Sequence, residues 1–212
     1  MEEFWNRSWA HVDMDRVREY IEHMKNSDPL PDSMIDYLKG QRAKTVCDAG
    51  CGCGAYSLKL ALNGFQVSGF DLSPAAVRLT KELLSSRNIA HGDFRARSIL
   101  STGFDDDQFD AVISRDVVDH MSLMDGIAAI RELYRIVKKD GSMIVTLDRS
   151  DVEYETEPHI INSDGDYIFT GGKWGGMVFH PYSEGEIARL VQIGTIVRLE
   201  STPDGFQVVI IK

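Results

Sequence analysis

Strand-like and helix-like patterns alternate through the middle of the chain, and this alternation constrains the fold more than any other feature. Short apolar runs typical of buried strands occur at 45–48, 65–70, 109–114 and 143–148, with a further strand expected within 89–99. The segments between them show helical spacing of apolar residues, at 54–63, 73–87 and 125–138. Regular alternation of this kind predicts a mainly parallel sheet covered by helices on both faces.

The end of the chain adds two strands of another kind. After a helical pattern at 183–193, strand patterns at 195–201 and 206–211 are separated only by a turn, Pro203–Gly205. Strands joined so closely pair antiparallel. We therefore expect an α/β, doubly wound, mostly parallel sheet of seven strands with an antiparallel last strand.

The length of 212 residues suits one α/β domain. Helical spacing at 12–25 and 32–39 predicts two N-terminal helices, and the Asp28–Pro31 stretch ends the first of them. We expect a single domain over residues 1–212 in four parts: a helical cap at 1–41, a core at 42–150, an insertion or flap at 151–182, and a closing helix with two strands at 183–212.

Charge and composition narrow the partners. The net charge is −10, so the chain gains nothing from attraction to phosphates, and a nucleic-acid partner is disfavoured. No apolar run approaches the roughly 18 residues of a membrane span, and the N-terminus lacks a signal-peptide pattern, so we expect a soluble, cytoplasmic protein. The three cysteines Cys47, Cys51 and Cys53 are too few and too close together for a disulfide framework or a four-ligand zinc site.

The strongest chemical signal is the loop after the first strand pattern. Gly50, Gly52 and Gly54 alternate with small residues just before a helix, where glycines allow a tight turn and a close approach of a ligand to the backbone. Asp71 ends the second strand pattern, where a carboxylate accepts hydrogen bonds from the ribose hydroxyls of an adenosine ligand. A competing interpretation makes Asp71 or Ser73 only the cap of the next helix.

Together these segments resemble the class I S-adenosylmethionine-dependent methyltransferases, most of all the broad small-molecule group. The resemblance covers about residues 42–150 and rests on four segments: Asp48-Ala-Gly-Cys-Gly-Cys-Gly54, Gly69-Phe-Asp71-Leu-Ser-Pro74, Phe109-Asp-Ala-Val-Ile113 with His120 beyond, and Leu133 to Gly141. It implies a Rossmann-like methyltransferase fold, S-adenosyl-L-methionine as cofactor and S-adenosyl-L-homocysteine as product. It also implies that the methionine part lies against Gly50, Cys51 and Gly52, that Asp48 orders this loop, and that Asp71 and Leu72 lie beside the ribose.

The same resemblance suggests residues at the other end of the cofactor. The family usually has an acidic residue after the third strand. Its spacing falls on Ser98 and Ile99, which we favour as adenine neighbours over Asp93. The segment after the fourth strand is expected beside the transferred methyl, so Arg115 and Asp116 become candidate cofactor-side or substrate-side residues. His120 is either a general base, since its ordinary pKa is near neutrality, or a residue that orients the loop; the second interpretation is favoured.

The acceptor pocket is expected to form from two aromatic-rich regions. We expect contributions from Trp5 and Trp9 near the N-terminus, and from Tyr167, Trp174 and His180 in the insertion, around a small-molecule methyl acceptor. For each aromatic side chain, packing in the core is the competing role.

Two other functions and a metal site are alternatives to this prediction. A nicotinamide-dependent oxidoreductase shares the fold, but the glycine spacing here is not that of dinucleotide binders. A non-catalytic S-adenosylmethionine-binding protein would keep the same glycines and Asp71. Asp116 and Asp148 end adjacent strands, as the metal ligands do in the catechol-type branch, but Arg149 stands where a third ligand is expected, so no metal is predicted.

Overall fold

The computed structural model describes residues 2–27, 32–202 and 205–212. Its strands are β1 (Thr45–Ala49), β2 (Gln66–Asp71), β3 (Phe94–Ala96), β4 (Phe109–Arg115), β5 (Val137–Asp148), β6 (His159–Ile161), β7 (Tyr167–Phe169), β8 (Val178–Phe179), β9 (Thr195–Ser201) and β10 (Gly205–Ile211). Its helices are α1 (Glu2–Ala10), α2 (Met14–Ser27), α3 (Asp32–Gly40), α4 (Ala55–Leu62), α5 (Pro74–Ser86), α6 (Leu123–Ile136), α7 (Val152–Thr156) and α8 (Glu184–Leu190), with a 3-10 turn at Val118–His120.

Seven strands form the main sheet in the order β3-β2-β1-β4-β5-β10-β9. The pairings among β1 to β5 are all parallel, whereas β10 is antiparallel to both β5 and β9. The predicted sheet of seven strands, mostly parallel with an antiparallel last strand, is confirmed. The strand order reverses direction at β1, because β2 lies on one side of it and β4 on the other. This switch point is where ligands bind in open α/β sheets.

Alternate residues of the central strands point to opposite faces of the sheet, and each face has its own hydrophobic cluster. Cys47 and Val112 face a cluster that includes residues of α6 and α8. Val46 and Ala111 face the other cluster, which includes residues of α3, α4 and α5. The prediction of helices on both faces is therefore confirmed.

Local signals set several helix boundaries. The Ser122 side chain accepts a hydrogen bond from the Asp125 backbone N–H and begins α6. Ser183 and Glu186 form a reciprocal capping box at the start of α8. The end of α6 differs from the prediction, because the helix stops at Ile136 rather than at residue 138. Val137 instead lies opposite Phe109 and begins β5, so pairing with the sheet overrides a helical sequence pattern.

The two regions outside the core hold structure that the sequence patterns did not reveal. A nine-residue helix, α1, precedes the predicted N-terminal helices. Residues 151–182 contain α7 and a three-stranded antiparallel sheet in the order β6-β7-β8, which we call the insertion sheet. The Asp28–Pro31 helix end and Pro203 and Asp204 of the predicted turn lie outside the described residues. In the described part of the chain, no helix is long and apolar enough to span a membrane.

Candidate functional site

A cavity of about 500 Å³ opens at the carboxyl ends of β1 to β4, a volume within the range of small-ligand sites. The helices α1 and α2 close it on the other side, through Trp5, Trp9 and Tyr20. Every cofactor-side and catalytic candidate from the sequence lines this one cavity: Asp48, Gly50, Cys51, Gly52, Asp71, Leu72, Ser98, Ile99, Arg115, Asp116 and His120.

Hydrogen bonds within the protein hold the glycine loop in place. The N–H groups of Gly50 and Cys51 both donate to the Phe70 carbonyl, at 2.9 Å each. The Thr80 hydroxyl donates to the Gly52 carbonyl at 2.9 Å. Gly50, Gly52 and Gly54 have φ angles of +85°, +51° and +84°, a backbone region that other residues rarely adopt. The loop geometry therefore requires glycine at these positions.

Asp71 links the glycine loop to the start of α5. One of its oxygens accepts the Gly52 N–H at 2.9 Å and the other accepts the Ser73 N–H at 2.8 Å. Asp71 is only 8% exposed, and burial raises its pKa. Ser73 occupies the N-cap position of α5 but makes no side-chain cap bond. The capping interpretation therefore accounts for only one of the two bonds to Asp71, and its carboxylate also borders the cavity.

Asp48 and Cys47 precede the glycine loop at the end of β1, and Cys51 and Cys53 belong to the loop itself. The Asp48 carboxylate accepts a 2.5 Å hydrogen bond from the Ser57 hydroxyl at the start of α4, and burial raises its pKa to about 6. Cys47, Cys51 and Cys53 are all buried free thiols. Burial raises their pKa values, which keeps them protonated and poorly nucleophilic.

Arg115 and Asp116 form an ordered polar pair at the end of β4. The Arg115 Nε donates to Asp116 Oδ2 at 2.7 Å, and its guanidinium also bonds to the Tyr56 hydroxyl and lies 4.8 Å from that ring's centroid. Asp116 has a φ of +50°, and the Thr146 hydroxyl donates to its other oxygen at 2.5 Å. These contacts fix the position of the Asp116 carboxylate at the cavity.

His120 is buried beside Trp5, with the two ring centroids 5.1 Å apart. Burial lowers its pKa to about 4, so the imidazole is neutral at neutral pH. A group with such a low pKa is a weak general base at that pH. Proton abstraction by His120 is therefore disfavoured, and its buried Nδ1 has no hydrogen-bond partner among the described residues, so the loop-orienting role stays a prediction.

His120 belongs to a group of three described side chains whose spacing could hold a metal ion. Asp119, His120 and Asp148 each place one ligand atom so that all three lie within 4.8 Å of one another, whereas Asp116 is not part of this group. Burial, followed by the nearby carboxylates of Asp148 and Asp116, raises the pKa of Asp119 well above its ordinary value. A cation bound here would therefore have to displace the proton that this environment favours on Asp119.

The two candidates for the adenine position lie in different places. Ser98 and Ile99 line the cavity after β3. Asp93 precedes β3, at the opposite end of the strand. It is exposed, pairs with Arg95, and is not among the described residues that line the cavity. The position of these side chains favours Ser98 and Ile99 for contact with a ligand.

The acceptor-side candidates separate into two groups. Trp5 and Trp9 of α1 line the cavity, and a Cβ on Gly52 would stand only 3.1 Å from the Trp9 ring. Tyr167 and Trp174 instead pack on the aromatic cluster of the insertion sheet, away from the described cavity lining. His180 is buried, and its Nδ1 is hydrogen-bonded to Asp166 Oδ1 at 2.8 Å. The competing core-packing role therefore describes these three residues.

The two tyrosines of the cavity lining escaped the sequence reasoning. Tyr20 fits the apolar spacing of α2 and Tyr56 that of α4, so both looked like packing residues. In the structure both rings line the cavity. The signal that distinguishes Tyr56 is its place two residues after Gly54, on the first turn of the helix that the glycine loop begins.

Comparison with known proteins agrees with this geometry. A family model described as a methyltransferase domain matches residues 47–145. A ubiquinone biosynthesis O-methyltransferase of Pseudomonas savastanoi pv. phaseolicola is 30% identical over 148 residues. That match covers 68% of this chain and 62% of the relative, so the similarity spans less than two thirds of the relative's length.

Solved structures show the same fold. A protein from Pyrococcus horikoshii OT3 superposes with a TM-score of 0.72 at 20% identity, covering 95% of this chain and 94% of its own. A magnesium protoporphyrin IX methyltransferase from Synechocystis PCC 6803, with bound S-adenosylhomocysteine, superposes with a TM-score of 0.65 at 20% identity, covering 98% and 91%. At these identities the likeness shows the fold.

Proposed function

Because the chain belongs to the class I S-adenosylmethionine-dependent methyltransferases, we propose that it transfers the methyl group of S-adenosylmethionine to a small-molecule acceptor. One observation carries the proposal. The ordered glycine loop, the Asp71 carboxylate and the aromatic side chains of α1 all border the same cavity, at the switch point of the sheet. The loop and Asp71 suit the cofactor, and the aromatic side suits an acceptor.

The residues of the cavity fit the chemistry of S-adenosylmethionine. The Asp71 carboxylate accepts the backbone N–H groups of Gly52 and Ser73 and is further stabilised by that of Leu72, and since a carboxylate has about four acceptor sites it keeps capacity for a ribose hydroxyl. Gly50 and Gly52 place the backbone of the loop at the surface of the cavity, where it can contact the methionine part. Ser98 and Ile99 offer a hydroxyl and an apolar side chain to the adenine, and Arg115 offers a positive charge near the carboxylate end.

Methyl transfer places simple demands on this chain. The sulfonium would supply an already activated methyl group, so its transfer to the acceptor needs no covalent enzyme intermediate. The chain must hold the acceptor in line with the methyl group and exclude water. The aromatic side chains of Trp5, Trp9 and Tyr20 line the cavity and exclude water from it. The neutral His120 imidazole can orient an acceptor hydroxyl by a hydrogen bond.

The aromatic wall favours a flat, largely apolar acceptor. Small-ligand sites are lined mostly by apolar and aromatic side chains, with a few polar groups that fix orientation. The curated relatives are O-methyltransferases by name, so hydroxylated aromatic compounds are the first acceptors to test, with aromatic amines beside them. Formation of S-adenosylhomocysteine with any of these compounds separates an enzyme from a protein that only binds the cofactor.

Thermal unfolding with four ligands tests the cofactor assignment: S-adenosylmethionine, S-adenosylhomocysteine, NAD and NADP. A ligand at about 100 times its Kd adds roughly 2.7 kcal/mol, which raises the Tm by about 5–10 °C at this length. We expect this shift with the two sulfur compounds, its loss in Asp71→Asn, and its retention in the matched control Asp93→Asn. A shift with the nicotinamides alone would overturn the proposal in favour of an oxidoreductase.

A further inference from the structure

The edge strand β9 carries an unusual concentration of exposed apolar side chains. All seven of its residues are exposed, and Val197 and Leu199 are 52% and 41% accessible. Ile193 and Ile196 beside them are exposed as well. Natural sheet edges are blunted by short length, proline, charged side chains or bulges; β9 has two charges of opposite sign, Arg198 and Glu200, and a register shift opposite Val209 and Ile210. The opposite edge strand, β3, has only three residues, whereas β9 has seven and contains neither proline nor lysine.

The hairpin geometry shows which backbone groups of β9 face outward. The Thr202 N–H donates to the Gly205 carbonyl at 2.8 Å, which makes these two residues a hydrogen-bonded pair. In an antiparallel ladder such pairs alternate along the strand. Glu200 and Arg198, which lie opposite Gln207 and Val209, therefore direct their backbone groups toward β10. Leu199 and Ser201 direct theirs away from the sheet.

We propose that β9 pairs antiparallel with β9 of a second copy of this chain, joining two seven-stranded sheets across a twofold axis. A twofold interface is self-complementary, because each residue contacts its counterpart in both directions. An edge strand with free backbone donors and acceptors supplies the hydrogen bonds for such a pairing. The sequence of β9 decides both the partner and the register.

Charge selects one register among those that bring outward-facing backbone groups together. A pairing centred on residue 198 would place two arginines opposite each other, and one centred on residue 200 would place two glutamates opposite each other. A pairing centred on Leu199 places Arg198 of each copy opposite Glu200 of the other copy. These would be non-hydrogen-bonded pairs, in which opposing side chains lie closest. Opposite charges stabilise such cross-strand pairs and like charges destabilise them. Within one chain the Arg198 Nε already lies 3.3 Å from Glu200 Oε1, so both side chains occupy the same face.

Two charge reversals test this register directly. The Arg198→Glu variant carries only acidic side chains at these two positions, and the Glu200→Arg variant carries only basic ones. Each variant alone should repel its own copy, whereas an equimolar mixture should pair with full charge complementarity. Analytical ultracentrifugation over a range of concentrations measures the dimers. We expect a wild-type dimer that dissociates on dilution, because one strand pair is small beside the ~1,600 Å² of a standard interface.

The expected result is dimerisation at least tenfold weaker in each single variant and recovery in the mixture. The matched controls Arg87→Glu and Glu82→Arg, exposed charges on and just after α5, should leave dimerisation unchanged. A wild type that stays monomeric at high concentration overturns the proposal, as do single variants that dimerise like wild type or a mixture that fails to recover. Cofactor binding is unaffected in either case, since β9 does not line the cavity.

Discussion

Replacing Gly54 by alanine tests how closely the glycine loop packs on α5. Gly54 is buried with a φ of +84°, and a Cβ there would stand 2.9 Å from the Thr80 Cα, a backbone atom that cannot rotate away. A left-handed backbone costs a non-glycine residue roughly 1–2 kcal/mol. Forcing a methyl group into a packed site costs about 1–3 kcal/mol more. We therefore expect the free energy of unfolding to fall by about 2–5 kcal/mol.

Gly64→Ala is the matched control for this substitution. Gly64 has a similar φ of +92°, but a Cβ there has no neighbour within 4 Å among the described residues. Both variants carry the backbone strain and the same restriction of the unfolded chain, so their difference isolates the contact with Thr80. One kcal/mol shifts the Tm by about 2–4 °C at this length, so Gly54→Ala should unfold about 2–12 °C below Gly64→Ala in calorimetry. Equal midpoints would refute close packing of the loop on α5.

Two further predictions follow from the buried titratable groups. Burial raises the pKa of Asp48 to about 6, so between about pH 4 and 6 the folded state keeps a proton that the unfolded state has lost, and stability falls as pH rises through that window. Asp48→Asn cannot titrate and so avoids this loss of stability, which amounts to up to about 3 kcal/mol. The Tm of the variant relative to wild type should therefore rise from pH 4 to 7. A Tm difference independent of pH would contradict the assignment. Because the pKa of His120 is lowered to about 4, the pH profiles of kcat for wild type and His120→Gln should run parallel between pH 6 and 8. An inflection in that range seen only in wild type would show that His120 titrates there.

The cofactor half of the cavity was accessible to sequence reasoning because its residues follow regular elements. Asp71 ends β2, and the glycines fill the turn between β1 and α4. Carboxyl ends of parallel strands meet at one edge, so predicting the strands also predicts which side chains converge there. Ser98 and Arg115 came instead from the resemblance to the methyltransferase family and its spacing, and all of these residues line one cavity.

The parts that sequence patterns missed depend on tertiary packing. Val137 continues a helical pattern, yet it lies opposite Phe109 in the sheet. The aromatic residues Tyr167 and Trp174 suggested a binding pocket, but in the structure they pack with Phe4 and Phe179 into the core of the insertion sheet. An aromatic pattern does not distinguish these roles, because both bury the same rings.

Helix α1 contacts both the cavity and the insertion sheet. Phe4 packs into the insertion-sheet cluster, and the Arg7 guanidinium donates to the Gly175 carbonyl at 2.8 Å. Trp5 of the same helix packs on this cluster and also lines the cavity, and Trp9 lines the cavity one turn further along. The family match at 47–145 contains neither α1 nor the insertion. The match therefore contains the glycine loop and Asp71, whereas the aromatic side chains of α1 that line the same cavity lie outside it.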